Sequence, residues 1–142
     1  MSFEESSLSL RVRPNDLDSL GHVNNATALE YLEAGRWAWI EQSGFRRGGG
    51  IIAVTMRIEV DYRREILPQE VVVRTRLEAP TPEELEDEEA VHYRARFHQQ
   101  ILVASGRELA VEARVQAAFV DAADRSLRSV QEYLAQARKP AF

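Results

Sequence analysis

The chain has 142 residues, room for one domain with a core of its own. It is 44% hydrophobic and 29% charged, with a formal net charge of -5, a balance that weighs against a nucleic-acid partner, since phosphate binding usually needs a basic field. It contains no cysteine, which excludes disulfides, thiolate metal sites and a cysteine nucleophile. The acidic, polar start Met1 to Ser7 does not resemble a secretion signal, and no apolar run reaches membrane-spanning length. A cytoplasmic protein with no membrane partner is expected.

Leu8 to Arg13 alternates apolar and polar residues and predicts a half-buried strand, ended by Pro14. A polar run follows, from Asn15 to Asn25, holding Asp16, Asp18, His22, Asn24 and Asn25. Asn24 or Asn25 suits an N-cap, and Ala26 to Gln42 predicts a long helix ended at Ser43-Gly44. Apolar residues occupy more than one stripe of that helix, so it should be covered on several sides. Gly35 at its middle implies close packing against a neighbour. The run thus sits where a strand meets a helix start, with its unpaired N–H groups and partial positive charge. A carboxylate beside such donors suits attack on an activated carbonyl.

Phe45 to Gly50 is a flexible basic loop whose Arg46 and Arg47 are candidate phosphate contacts. Next comes a row of Val54, Met56, Ile58, Val60 and Tyr62, then a turn at Leu67 to Glu70. Val71, Val73, Thr75 and Leu77 form the next strand. The acidic stretch Pro80 to Glu89 predicts a solvated loop. Val91, Tyr93, Ala95 and Phe97 alternate with His92, Arg94, Arg96 and His98. The two histidines read as part of a solvated face without a carboxylate partner, and no metal site is expected. After a hairpin at Ser105-Gly106, Leu109, Val111, Ala113, Val115, Ala117 and Phe119 give the last long strand. Ser129 to Arg138 predicts a terminal helix. There is no linker or internal repeat, so residues 1–142 are expected to form one α+β domain, an antiparallel sheet curled around one main helix.

Asp16-x-Asp18-x-x-Gly21-His22-Val23-Asn24-Asn25 followed by a long helix resembles the motif of hotdog-fold acyl-CoA thioesterases, in particular the 4-hydroxybenzoyl-CoA thioesterase-like group. Ile58 to Arg64 and Gln99 to Asp121 resemble that group's later strands as a pattern. The resemblance implies a five- or six-stranded antiparallel sheet around the helix. It also implies subunits joined edge to edge as homodimers, with homotetramers built from them and active sites at the dimer interface. The activity implied is hydrolysis of an acyl-CoA thioester to acid and CoA, with CoA as part of the substrate and no cofactor or metal.

By the same resemblance Asp18 is the nucleophile or the general base. Asn25, where some relatives carry histidine, orients water or substrate, and His22 orders the loop or lines the site. Backbone N–H groups of Val23, Asn24 and Asn25 are the candidates for polarising the carbonyl. Gly21, Val23, Asn24, Ala28, Tyr62, Arg63 and Arg64 are the expected substrate contacts. Many relatives carry an aromatic residue where this chain has Ala28, which leaves acyl preference open. Asp16 reads as a loop carboxylate bonding nearby backbone. Two other functions stand beside hydrolysis: a hotdog acyl hydratase or dehydratase, and a non-catalytic acyl-CoA-binding module.

Overall fold

The computed structural model describes residues 4–44 and 49–137, excluding the side chains of 136 and 137. Arg46 and Arg47 lie outside the described residues. The elements in chain order are β1 (Ser6–Arg11), a 3-10 turn (Pro14–Asp16), α1 (Asn25–Gln42), β2 (Ile51–Tyr62), β3 (Glu70–Ala79), α2 (Pro82–Glu86), β4 (Arg94–Val103), β5 (Glu108–Asp121), β6 (Leu127–Arg128) and α3 (Val130–Ala137). The strands form one antiparallel sheet in the order β1-β3-β4-β5-β2. Short β6 pairs with the far end of β5, at Phe119 and Val120, just beyond the last β4 pairing at Ala118. This is the hotdog architecture, with the sheet curled around α1.

The inward residues of α1 are Ala28, Tyr31, Leu32, Gly35, Ala38, Trp39 and Ile40, spread widely enough that the helix is enclosed. Two apolar clusters flank its length. One gathers Leu32, Val71, Val73, Ile101 and Val111 near the first half. The other gathers Trp39, Ile40, Phe97, Val115, Phe119 and Tyr133 near the second. A polar layer lies by Gly35. Fully buried Gln99 donates to the Leu32 carbonyl at 2.8 Å and to Thr75 Oγ1 at 2.9 Å, and its Oε1 accepts from Arg36 at 3.0 Å. A β-carbon on Gly35 would come within 2.5 Å of Val73 Cγ1, so the close packing expected there is present.

Several predicted elements change in detail. The first strand runs Ser6–Arg11, two residues earlier than the alternation suggests. In β2 the register shifts between Thr55 and Arg57, leaving half-exposed Met56 without a pairing partner. This bulge reverses the phase, so Ala53 and Thr55 join Ile58 and Val60 on the inner face and Val54 and Met56 leave it. Strand β4 begins at Arg94, and Val91 and Tyr93, 57% and 48% exposed, precede it. The acidic stretch is not wholly loop. Thr81 and Glu84 form a capping box with Pro82 in the first turn, which supports the short helix α2. No helix among the described residues is long and apolar enough to cross a membrane.

Candidate active site

The polar run folds as a compact turn. Gly21, at φ +83°, adopts the left-handed conformation and donates its N–H to the Asp18 carbonyl at 3.1 Å. Asp18 N–H donates to the His22 carbonyl at 2.7 Å. The Asp18 carboxylate accepts at Oδ1 from the N–H groups of Leu20 at 2.9 Å and His22 at 3.2 Å. Its second oxygen has no partner among the described residues. Asp18 is half-buried, so one carboxylate oxygen is anchored and the other is open.

Asp16 has the opposite environment. It is 3% exposed and accepts from the Tyr31 hydroxyl at 2.6 Å, the Arg13 N–H at 2.9 Å and the Arg13 guanidinium at 3.1 Å. Burial opposes its ionisation, but these hydrogen bonds outweigh it and hold the carboxyl below its ordinary range. With every donor already on it, Asp16 braces the turn against α1.

A cavity of about 290 Å³ opens at the start of α1. Among its walls are Asp18, His22, Val23, Asn25, Ala28, Tyr62, Arg63 and Arg64. Eight of the ten expected site residues are thus brought together. Gly21 and Asn24 are not among the walls; Asn24 is the N-cap, its side chain accepting from Ala26 N–H at 2.8 Å. Two of the three candidate carbonyl-polarising donors are already used. Val23 N–H donates to the Ile66 carbonyl at 2.9 Å and Asn24 N–H to the Asp16 carbonyl at 2.8 Å. The Asn25 N–H has no partner among the described residues, as expected for a first-turn donor.

Three further wall residues, Glu65, Ile66 and Val111, carry no signal in the motif. Glu65 Oε2 lies 3.0 Å from His22 Nε2, so the imidazole is tied to the segment after β2. Tyr62 donates its hydroxyl to the Asn25 carbonyl at 3.0 Å, linking the end of β2 to the helix start. Arg63 pairs with Glu112 at 3.0 Å and Arg64 with Glu108 at 3.4 Å. Glu112 also meets His98 Nε2 at 3.1 Å, and hydrogen bonds from His98 and then Arg63 hold its carboxyl low. His98 therefore does have a carboxylate partner, and so does His92, 3.5 Å from Glu84. Glu112 comes from the neighbouring strand β5, and Glu84 from α2, eight residues before His92. No cluster suited to a metal ion occurs among the described residues.

The family model for the thioesterase-like superfamily matches residues 12–139. The long-chain acyl-CoA thioesterase FadM of Escherichia coli is 35% identical over 69 residues, 46% of this chain and 52% of that protein, so the match spans about half of the curated relative's length. Among solved structures, a DHNA-CoA thioesterase from Staphylococcus aureus superposes with a TM-score of 0.77 at 20% identity, covering 92% of this chain and 84% of that one. A putative thioesterase from Pseudomonas aeruginosa gives 0.74 at 22% identity, covering 91% and 94%. At such identities the superpositions speak to the fold, and the family match over nearly the whole chain decides the rest: the protein belongs to the thioesterase-like superfamily.

Proposed function

We propose that the protein hydrolyses acyl-CoA thioesters, with Asp18 as the catalytic carboxylate. The observation that carries this reading is that one cavity is lined both by Asp18, which keeps a carboxylate oxygen without a partner among the described residues, and by Asn25, whose N–H has none among them either. Acting as a general base, that oxygen takes a proton from water, the hydroxyl adds to the thioester carbonyl, and the C–S bond breaks to release CoA thiolate. Acting as a nucleophile, it adds to the same carbon, expels the thiolate and leaves a mixed anhydride that water opens. In both routes the Asn25 N–H, at the positive end of α1, faces the negative charge growing on the carbonyl oxygen. The Asn25 amide orients water, and His22, held by Glu65, shapes the wall beside Asp18.

Arg63 and Arg64 at the rim each keep guanidinium donors beyond their single carboxylate contacts, and these suit CoA phosphates. Ala28 leaves room in the cavity wall for the acyl group. The working unit is a homodimer, because among the described residues β2 pairs on one side only, with β5, which leaves a twelve-residue edge for a second copy.

The test is a panel of acyl-CoAs of varied length, aryl types included, with free thiol followed. Steady thiol release from at least one member is expected. Tight binding without release would assign a binding module instead, and hydration of an enoyl-CoA without release would assign a hydratase.

A further inference from the structure

The face of the sheet turned away from α1 carries a charged cluster that thioester hydrolysis leaves unused. Ala95, Phe97, Ala113 and Val115 are buried on the inner face, so Arg96 on β4 and Arg114 on β5 point outward. The pairing of β3 with β4 skips Glu78, between Leu77 and Ala79, and this glutamate reaches the same outer face. Its carboxylate meets three guanidinium groups: Arg96 Nε at 2.7 Å, Arg114 Nε at 3.3 Å and a terminal nitrogen of Arg76 at 3.7 Å. Arg76 and Arg114 both stand opposite His98, one strand to either side, so their backbones are about 10 Å apart. The Glu78 side chain is 18% exposed and those of the three arginines between 43% and 45%, so the carboxylate lies beneath and the guanidiniums lie open above it.

Three guanidiniums around one carboxylate leave two positive charges uncompensated. Neighbouring acids do not cancel them, because Glu112 is held by Arg63 and His98 and Glu59 pairs with Arg57 at 2.8 Å. Burial opposes the ionisation of Glu78, but the Arg96 hydrogen bond and the charges of Arg114 and Arg76 outweigh it and hold its carboxyl low. Glu78 therefore stays charged and gathers the arginines against their mutual repulsion. Because Arg96 and Arg114 meet it through Nε, their terminal nitrogens have no partner among the described residues. Such terminal pairs match the oxygens of a phosphate group, and an excess of two charges matches a dianion. We propose that Arg76, Arg96 and Arg114, gathered by Glu78, bind a phosphate-bearing anion of at least two negative charges on the outer face of the sheet. Pairing of β2 edges between two copies leaves this face open. Two sources offer this chemistry, a free phosphorylated ligand and the nucleotide end of CoA, and the site does not rest on the hydrolase reading.

Inorganic pyrophosphate is the probe, titrated calorimetrically into the full chain with ionic strength held constant by sodium chloride. Saturable binding to the wild type is expected, and Arg96→Gln and Arg114→Gln should each weaken it at least about tenfold. Arg57, opposite Gln116 on the same face, lies outside the cluster. Arg57→Gln removes an equal charge and should bind pyrophosphate as the wild type does. Circular dichroism establishes that each variant is folded. Arg76→Gln, whose contact with Glu78 is the longest of the three, should weaken binding several-fold and carries the test if the other two do not fold. Titrating CoA into the same variants separates the sources. A parallel loss of CoA affinity assigns the site to the nucleotide end of CoA, and unchanged CoA affinity assigns it to a free phosphorylated ligand. No saturable binding of pyrophosphate, wild-type binding by the folded cluster variants, or equal weakening by Arg57→Gln would overturn the proposal.

Discussion

Two aspartates two residues apart end in different chemical states because of what points at them. Asp16 is buried under donors from Arg13 and Tyr31, whereas Asp18 keeps one oxygen open at a cavity wall. Removing the Asp16 carboxylate orphans the buried Tyr31 hydroxyl, so Asp16→Ala should lower unfolding free energy by about 1–3 kcal/mol, measured by urea denaturation. The pH dependence follows from the direction of its shift. A carboxyl with a folded pKa below its ordinary 3.8 stabilises the protein fully above that value. That stability is lost as pH falls through the folded pKa. Wild type should therefore lose stability below about pH 4 more steeply than Asp16→Asn; parallel curves would contradict this. The bracing role of Asp16 toward local backbone was legible from its place in a turn. Its bond to Tyr31 and the His22–Glu65 contact were not, since each partner arrives from an element that only the fold brings near.

Helix α1 shows how sequence signals translate into an element. Its cap, its end and its enclosed surface follow from Asn24, Ser43-Gly44 and the wide apolar face. Asn24→Ala should cost about 1 kcal/mol of stability, read by thermal melting, through loss of the bond to Ala26 N–H. At Gly35 two effects compete. Alanine gains about 1 kcal/mol of helix propensity, but its β-carbon would press on Val73 Cγ1, Thr75 Oγ1 at 3.0 Å and Gln99 Nε2 at 3.1 Å. Overpacking of that kind typically costs about 1–3 kcal/mol and the contact is with a strand side chain that has nowhere to move, so Gly35→Ala should melt lower. A melting point at or above wild type would show that the polar layer yields. The bulge in β2 was hidden because Met56 is apolar and keeps the alternation unbroken in the sequence. Val91 and Tyr93 misled in the same way: alternation predicts a face, and only pairing partners decide whether a strand exists there.

For the whole molecule, the antiparallel sheet around one helix was legible from element order and from the motif at the strand–helix junction. The candidate site was legible where the motif lies and at Tyr62 to Arg64, and dark at Glu65 and Ile66, which reach the cavity from the connection after β2, and at Val111 on β5. The unpaired edge of β2 predicts that light scattering returns at least twice the 16.2 kDa chain mass; the single-chain mass would contradict edge pairing. The central claim is chemical and belongs to Asp18. Its most direct test is the rate of thiol release from the best acyl-CoA of the panel by Asp18→Ala, with circular dichroism and melting matched to wild type. The open carboxylate oxygen predicts a loss of at least about 100-fold in kcat with the fold intact; wild-type turnover by the folded variant would contradict it.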